Sequence, residues 1–239
     1  MNASRPAVVL LSGGLDSAVV LAICRSEGYT PFALTVDYGQ RHHGEIAAAR
    51  RVAAAVGVER HIVLSVDLTQ WGGSALTADI AVPTGRRLAD MGQGIPITYV
   101  PARNTILLAL AMGWAETLGG GDLFIGAHAL DYSGYPDCRP EYFAAFEQMA
   151  RHATKSGVEQ TVAWRVHAPL LNLTKTQIVQ RGFALGVPFA LTSSCYQPLD
   201  TGEGQAPLAC GICDACILRR AAFTAAGRDD PVVYAPSEH

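Results

Sequence analysis

The chain has 239 residues, a formal net charge of −3, 49% apolar residues and 16% charged residues. This length suits about one domain with an appendage, and no apolar run approaches the ~20 residues that span a bilayer. The slightly acidic balance lacks the basic surface that a large nucleic acid needs, and the N-terminal residues lack the apolar segment of a signal peptide. Composition therefore favours a cytoplasmic protein that acts on small molecules, with no membrane or nucleic-acid partner.

Short apolar runs alternate with helical patterns along the chain. In order, the sequence predicts a strand at 7–11, a helix at 17–27, a strand at 31–37, a helix at 45–56, a strand at 61–66, a helix at 104–118 and a strand at 122–126. The helix at 104–118 is apolar nearly all round, which predicts burial against a sheet. The alternation predicts an α/β fold of Rossmann-like type, with a parallel sheet and helices on both faces.

The stretch L-S-G-G-L-D-S joins the first strand to the first helix. Two adjacent glycines let backbone N–H groups turn inward, two serines add hydroxyl donors, and the helix N-terminus favours an anion. These residues are candidates to bind a pyrophosphate or triphosphate: Leu11, Ser12, Gly13, Gly14, Leu15, Asp16 and Ser17. A carboxylate beside phosphates requires a cation, so Asp16 also indicates Mg²⁺. An ordinary tight turn before a helix stays the alternative.

Four of the six cysteines cluster near the C-terminus as C-x14-C-x2-C-x2-C. They are Cys195, Cys210, Cys213 and Cys216. In a cytosolic chain such clustering indicates a metal rather than disulfides. A zinc knuckle with one structural Zn²⁺ per chain is the first interpretation, because four thiolates leave no open coordination position. A [4Fe–4S] cluster and unpaired buried thiols are the alternatives.

These features divide the chain into two parts. Residues 1–190 are interpreted as the ATP-binding catalytic domain, and residues 191–239 as a cysteine segment packed on the same domain. Residues 69–96, rich in Gly, Ser, Thr and Pro, interrupt the α/β pattern as a long excursion, which suggests a flexible cover over the nucleotide.

Several motifs resemble known enzymes. S-G-G-L-D-S at 12–17 is similar to the PP-loop of the ATP pyrophosphatase superfamily, because it lacks the lysine of a Walker A loop and the G-x-G-x-x-G spacing of a dinucleotide site. The strings D-Y-G-Q-R-H, V-P-A-R-N-T, D-Y-S-G-Y-P-D-C-R, T-S-S-C-Y and C-G-I-C-D-A-C closely resemble the 7-cyano-7-deazaguanine synthases of queuosine biosynthesis. The resemblance covers nearly the whole chain. One departure is His128, where an Asn-like residue is expected.

This resemblance implies a fold of the adenine nucleotide alpha hydrolase type and a homodimer. It also implies conversion of 7-carboxy-7-deazaguanine and ammonia to 7-cyano-7-deazaguanine, with ATP as a substrate. Adenylation of the acid, attack by ammonia and a second adenylation of the amide would consume two ATP and release AMP and pyrophosphate twice. Whether ammonia arrives free or from a partner glutaminase stays open.

Further residues are candidates to bind the substrates or to take part in catalysis. Arg103 and Asn104, at the start of the apolar helix, are expected to bind phosphate or the substrate carboxylate, with helix capping as the alternative. Lys175, in the capping-box pattern T-K-T-Q, either reaches the ATP phosphates or stays solvated. Asp16, Ser17, Arg103 and Lys175 form the expected catalytic set. His42 and His43 are weak proton-transfer candidates and stay outside it.

The loop after the strand at 122–126 supplies the expected base contacts. Asp131 and Asp137 are candidates to accept hydrogen bonds from the guanine-like ring, and Tyr132 or Tyr135 to stack on it. Arg139 either binds substrate or neutralises Asp137.

Two other functions stay open from sequence. One is a PP-loop ligase or thiolase that modifies a base within tRNA. The other is a zinc-dependent binding module without catalysis. A binding module should form no AMP, whereas either enzyme should. A tRNA-modifying enzyme should require RNA, whereas a 7-cyano-7-deazaguanine synthase should not.

Overall fold

A computed structural model describes residues 5–40, 44–87, 94–128, 135–199, 201 and 207–236. Within these ranges one parallel sheet contains five strands. They are β1 (Pro6–Leu10), β2 (Thr30–Asp37), β3 (Arg60–Ser65), β4 (Asp122–Phe124) and β5 (Arg165–His167). Their order in the sheet is β3-β2-β1-β4-β5, and every neighbouring pair is parallel. The predicted parallel α/β sheet is confirmed.

Helices cover both faces of this sheet, as predicted. They are α1 (Leu15–Ser26), α2 (Gly44–Val56), α3 (Arg103–Thr117), α4 (Pro140–Ala153), α5 (Lys155–Val158), α6 (Lys175–Ala184) and α7 (Asp214–Ala225). The core on one face is built with α1, α2, α6 and α7, and the core on the other with α3 and α4. Because the central strands are buried on both sides, β1 is an almost continuous apolar run.

Helix α3 is buried along one stripe rather than all round. Asn104, Leu108, Ala111 and Ala115 are buried, while Ala109 and Gly113 are exposed. The buried positions are spaced four, three and four residues apart, so they share one helix face. The expected burial against the sheet therefore holds for that face, and small residues lie on the exposed side.

The strand order places a crevice at the middle of the sheet. The chain leaves β1 toward β2 on one side, whereas β4 pairs with β1 on the other. In open α/β sheets this change of direction creates the ligand-binding crevice at the carboxyl ends of the strands. Residues 11–17 follow β1 and residues 125–128 follow β4, so both lie at this edge.

The C-terminal segment packs into the main core. Phe223 of α7 lies edge-on to Phe183 and Phe189, with ring centroids 5.9 and 5.3 Å away. The main-chain N–H of Ser193 donates to the carbonyl of Gly13 at 2.9 Å. Residues beyond 190 therefore contact the loop after β1 directly.

None of the helices in the described ranges has the length and apolar character needed to cross a bilayer.

Truncating Phe223 tests how far α7 belongs to the main core. Because its ring is only 1% exposed, we expect Phe223→Ala to lower the free energy of unfolding by about 3–5 kcal/mol in denaturant titrations. Val233→Ala is the control, since Val233 is 67% exposed and its truncation should change stability by less than about 0.5 kcal/mol. Similar stability of the two variants would contradict the packing of α7 into the core.

Candidate active site

A cavity of about 380 Å³ opens at the carboxyl edge of the sheet. Its floor is formed by the loop after β1, and its sides by the ends of β2 and β4, the start of α3 and Lys175. The excursion and the cysteine segment contribute the outer wall through Leu76, Arg86, Tyr196 and Asp214. The cavity therefore collects residues from both parts into which the sequence divides the chain.

The loop at residues 11–17, the phosphate loop, requires glycine at position 13. Gly13 has φ +85°, and a Cβ atom there would lie 2.4 Å from the main-chain oxygen of Glu45 and 2.5 Å from the nitrogen of Ala49. Both the backbone conformation and this close approach exclude larger residues. The first turn of α2 therefore packs directly against the loop.

Hydroxyl and amide groups surround the beginning of α1. The Ser12 and Ser17 hydroxyls lie 3.1 Å apart, and Ser17 Oγ donates to the carbonyl of Gly14 at 3.1 Å. Gly14 is the N-cap of α1 and offers no side chain to cap it. The N-terminus of α1 therefore presents its dipole and hydroxyl donors toward the cavity, as an anion site does.

Lys175, Asp16 and His128 meet at the floor of the cavity. Lys175 Nζ donates to Asp16 Oδ2 at 2.5 Å and lies 3.2 Å from His128 Nε2, which is itself 3.8 Å from Asp16 Oδ2. Lys175 is thus turned into the cavity rather than solvated. His128, the departure from the resembled pattern, occupies the middle of this group.

The carboxylate of Asp16 stays ionised in this setting. Burial by itself raises its pKa, but the charges of Lys175 and His128 and the Lys175 hydrogen bond outweigh burial and lower the pKa. Its other oxygen, Oδ1, is buried and has no hydrogen-bond partner among the described residues. That oxygen is a ready ligand for a cation.

Asp137 caps the start of α3. Its carboxylate accepts the main-chain N–H of Asn104 at 3.0 Å, and Asn104 Nδ2 donates to the sulfur of Cys138 at 3.1 Å. Asp137 and Asn104 are both buried, although Asn104 also borders the cavity. These contacts position Arg103, which follows Ala102 in a left-handed backbone conformation of φ 53°.

Arg103 brings a cation to the wall beside β2. Its guanidinium lies 5.9 Å from the centroid of the Tyr38 ring and borders the cavity. Burial raises the pKa of Tyr38, and the Arg103 charge opposes that shift. Arg103 is therefore available to an anionic ligand in the cavity.

The remaining predicted base contacts lie in different places. Tyr135 borders the cavity, where its hydroxyl is 3.2 Å from Thr98 Oγ1. Arg139 is exposed and does not border the cavity. Asp131, Tyr132, His42 and His43 lie outside the described residues.

Glu45 is a cavity residue that the sequence reasoning missed. It belongs to the first turn of α2, and burial raises its pKa to about 7, while the Arg103 charge acts in the opposite direction. A glutamate near a helix N-terminus looks like an ordinary helix-dipole contact in sequence. Only the closure of α2 on Gly13 brings it into the cavity.

The four clustered cysteines converge on one point. Their sulfur atoms all lie within 4.8 Å of one another, and those of Cys210 and Cys216 are 4.0 Å apart. Four thiolates around one tetrahedral Zn²⁺ would have sulfurs about 3.8 Å apart, given Zn–S bonds of about 2.3 Å. This spacing fits a single metal ion, and a cluster of four irons and four sulfides needs more room.

Hydrogen bonds support thiolate forms at this site. Main-chain N–H groups of Gln197 and Cys210 donate to Cys195 Sγ at 3.3 and 3.2 Å, and that of Tyr196 donates to Cys213 Sγ at 3.5 Å. Hydrogen bonds from Cys195 and Cys216 lower the pKa of Cys213, and the hydrogen bonds among these thiols raise the pKa of Cys195 and of Cys216. The residues present therefore fit a metal that binds thiolates.

Main-chain hydrogen bonds and an ion pair join the excursion (residues 69–96) to the cysteine segment (residues 191–239). Thr84 forms an antiparallel bridge with Cys213, and the N–H of Gly85 donates to the carbonyl of Ile212 at 2.9 Å. Arg86 Nη1 then pairs with Asp214 Oδ2 at 3.0 Å. Its described part therefore lines the cavity from a position held by the cysteine segment.

Comparison with known proteins finds a matching family model and similar relatives. The chain matches the family model described as "Queuosine biosynthesis protein QueC" over residues 6–227. It is similar to the 7-cyano-7-deazaguanine synthase of Cupriavidus necator, with 58% identity over 232 residues that cover 97% of this chain and 98% of the relative. The synthases of Kineococcus radiotolerans and Solidesulfovibrio magneticus are 57% and 56% identical, covering 96% and 99% of this chain and 98% of each relative.

The substitution Glu45→Gln tests whether the pKa of Glu45 is raised in the folded protein. Because its pKa is about 7 in the folded protein, the stability it provides is present near pH 5 and lost as pH rises through 7. We compare the free energies of unfolding of the ligand-free Glu45→Gln variant and the original protein. Between pH 5 and pH 8 the variant should become more stable relative to the original protein by on the order of 2 kcal/mol. Glu59→Gln, an exposed control, should change stability by less than about 0.5 kcal/mol. An equal effect of Glu45→Gln at both pH values would refute the raised pKa.

Proposed function

The chain belongs to the queuosine biosynthesis protein QueC family, and from that premise we propose how it converts 7-carboxy-7-deazaguanine and ammonia to 7-cyano-7-deazaguanine as an ATP-dependent ligase. The observation that carries the proposal is the shared cavity. The phosphate loop, Lys175, Arg103 and Tyr135 all line this one cavity, at the edge of the sheet where ligands bind.

The first stage activates the acid. A carboxylate oxygen of the substrate attacks the α-phosphorus of ATP, and pyrophosphate leaves. Ammonia then attacks the carbonyl carbon of the acyl adenylate, loses a proton and expels AMP, which leaves the primary amide. The substrates supply both nucleophile and leaving group, so the protein contributes mainly by orienting them and stabilising charge.

The second stage removes the amide oxygen. That oxygen attacks the α-phosphorus of a second ATP and again releases pyrophosphate. The nitrogen loses its two protons as the C–O bond breaks and AMP leaves, which forms the C≡N bond. The two stages together consume two ATP and release two AMP and two pyrophosphates.

The phosphate loop and Lys175 are assigned to the ATP phosphates. The N-terminus of α1, the hydroxyls of Ser12 and Ser17, and the Lys175 ammonium all face the place where negative charge develops when pyrophosphate leaves. Lys175 is held there in the ligand-free protein by Asp16. Leu11 and Leu15 shape the loop through their buried side chains.

Asp16 is assigned to Mg²⁺. Its buried Oδ1, which has no hydrogen-bond partner among the described residues, provides the ligand atom. When bound, Mg²⁺ would neutralise charge on the phosphates. Asp16 Oδ2 at the same time orients Lys175.

Arg103 is assigned to an anionic group of a substrate, either the carboxylate or the α-phosphate. Its guanidinium borders the cavity beside Tyr38, and the hydrogen bonds of Asn104 and Asp137 fix the start of its helix. Asn104 and Asp137 therefore act by positioning Arg103, and Tyr135 is the described aromatic candidate to stack on the base. Contacts of Asp131, Tyr132 and Arg139 with the base stay predictions.

The cysteine cluster is assigned to one structural Zn²⁺. Its sulfur spacing and N–H···S bonds support this assignment. Residues 191–239 then serve as a zinc-braced segment of the catalytic unit formed by residues 1–190. A cytoplasmic location and a homodimer stay predictions.

Turnover tests the proposed reaction. Purified protein with Mg-ATP, ammonium and 7-carboxy-7-deazaguanine should form first the amide and then the nitrile, with two AMP per nitrile, as followed by mass spectrometry. No RNA should be needed. If neither amide nor nitrile forms, the proposed function is wrong, and a requirement for tRNA would favour a tRNA-modifying ligase.

The matched variants in this assay are Asp16→Asn and Asp229→Asn. Asp16→Asn should reduce AMP formation by about 100-fold or more, because it removes the negative charge that would bind Mg²⁺ and that orients Lys175. Asp229 is exposed and its variant should keep the original rate. Retained turnover by Asp16→Asn would refute the assigned role.

Metal content tests the cysteine site. Elemental analysis should find one zinc per chain and no iron. Cys213→Ser should lose that zinc because it removes one of four thiolates. Cys24→Ser, at a buried cysteine outside the cluster, should keep it. Iron and sulfide in stoichiometric amounts would overturn the zinc assignment.

A further inference from the structure

Asp214 holds a fixed position on the outer wall of the cavity. It is the first residue of α7 and lies between the clustered Cys213 and Cys216. Both neighbouring cysteines are buried, so the turn that carries Asp214 is held by the core of the cysteine segment. Its side chain is 19% exposed and borders the cavity.

The two carboxylate oxygens of Asp214 have different surroundings. Oδ2 accepts a hydrogen bond from Arg86 at 3.0 Å. Oδ1 is buried and has no hydrogen-bond partner among the residues that the structure describes. A buried carboxylate oxygen is stable only when donors reach it, so a ligand in the cavity is the natural source of one.

The other described carboxylates around the cavity are engaged differently. Asp16 holds Lys175 on the floor, next to the phosphate loop. Glu45 lies near Arg103 and Tyr38, and burial raises its pKa to about 7. Asp137 does not border the cavity and accepts the N–H of Asn104. Asp214 is thus the carboxylate that the cysteine segment contributes to the cavity lining.

We propose that Asp214 reads the base of the substrate by accepting hydrogen bonds from the ring N–H and the exocyclic amino group of its 2-amino-4-oxo edge. This rests on the proposed function. Each carboxylate oxygen has two acceptor sites, so Oδ2 keeps Arg86 while it accepts one of the two donors and Oδ1 accepts the other. Tyr196, whose N–H donates to Cys213 Sγ, borders the cavity on the same wall.

Through Asp214, the cysteine segment contributes to specificity for the base of the substrate. A carboxylate offers acceptors alone, so it discriminates against a ring that lacks the amino donor. The metal site would hold Asp214 at a set distance from the phosphate loop, to which Ser193 and Ser194 attach the same segment. Base recognition and phosphate binding are thereby built on one connected frame.

A substrate comparison tests this role. The value of kcat/KM is measured for 7-carboxy-7-deazaguanine and for its analogue without the 2-amino group, at saturating Mg-ATP. The original protein should favour the guanine-type acid by about 10- to 100-fold. Asp214→Asn should lower kcat/KM for that acid by a similar factor and bring the ratio of the two substrates close to one.

Controls separate reading of the base from support of the fold. Asp214→Asn should keep its zinc and its KM for ATP. Glu45→Gln, which changes a different carboxyl group of the cavity lining, should leave the substrate ratio unchanged even if its rate falls. Asp214→Ser is measured as well, because Ser keeps a small polar residue at the helix start if Asn disturbs the cysteine segment.

Each outcome decides the proposal. A collapsed ratio in a zinc-loaded Asp214 variant supports it, whereas an undiminished ratio in either zinc-loaded variant overturns it. Loss of zinc from both variants also overturns it, since Asp214 would then serve the metal site. If the original protein forms no amide or nitrile, the proposed function itself is wrong.

Discussion

The close packing around Gly13 is the contact on which the cavity depends. With its left-handed backbone and no side chain, Gly13 lets the first turn of α2 approach to a distance that no Cβ atom allows. Its carbonyl accepts the N–H of Ser193, so the cysteine segment attaches at the same residue. Two parts of the chain far apart in sequence thus close on the phosphate loop, and Glu45 and Ser194 enter the cavity as a consequence.

Charged side chains lie at three places on the cavity lining. The floor carries Lys175 paired with Asp16, one wall carries Arg103 beside Tyr38, and the outer wall carries the Arg86–Asp214 pair. Each of these charges has an opposite charge or an aromatic ring close by, which offsets the cost of removing it from water. Phosphates and a substrate carboxylate suit the floor and the Arg103 wall, and neutral donors of a base suit Asp214.

Local patterns in the sequence predicted most of the fold and part of the site. The strand–glycine–helix pattern located the loop at residues 11–17 that lines the cavity, and the cysteine spacing identified the four sulfurs that converge. The composition of the polar loop predicts Asp137 as a base contact, and the structure adds that its carboxylate accepts the N–H of Asn104 at the start of α3. Arg86, Asp214 and Glu45 were missed because each looks like an ordinary surface or helix-end residue until distant segments are brought together.

Local spacings and periods in the sequence suffice to predict the α/β class, the glycine loop after β1, the cysteine set and the family. Which charges lie next to one another depends on tertiary packing. Whether Lys175 reaches Asp16 and whether Asp137 points toward the cavity or into α3 depend on contacts between residues tens to more than a hundred positions apart. Such contacts are set by how helices pack on the sheet, and no local pattern encodes that geometry.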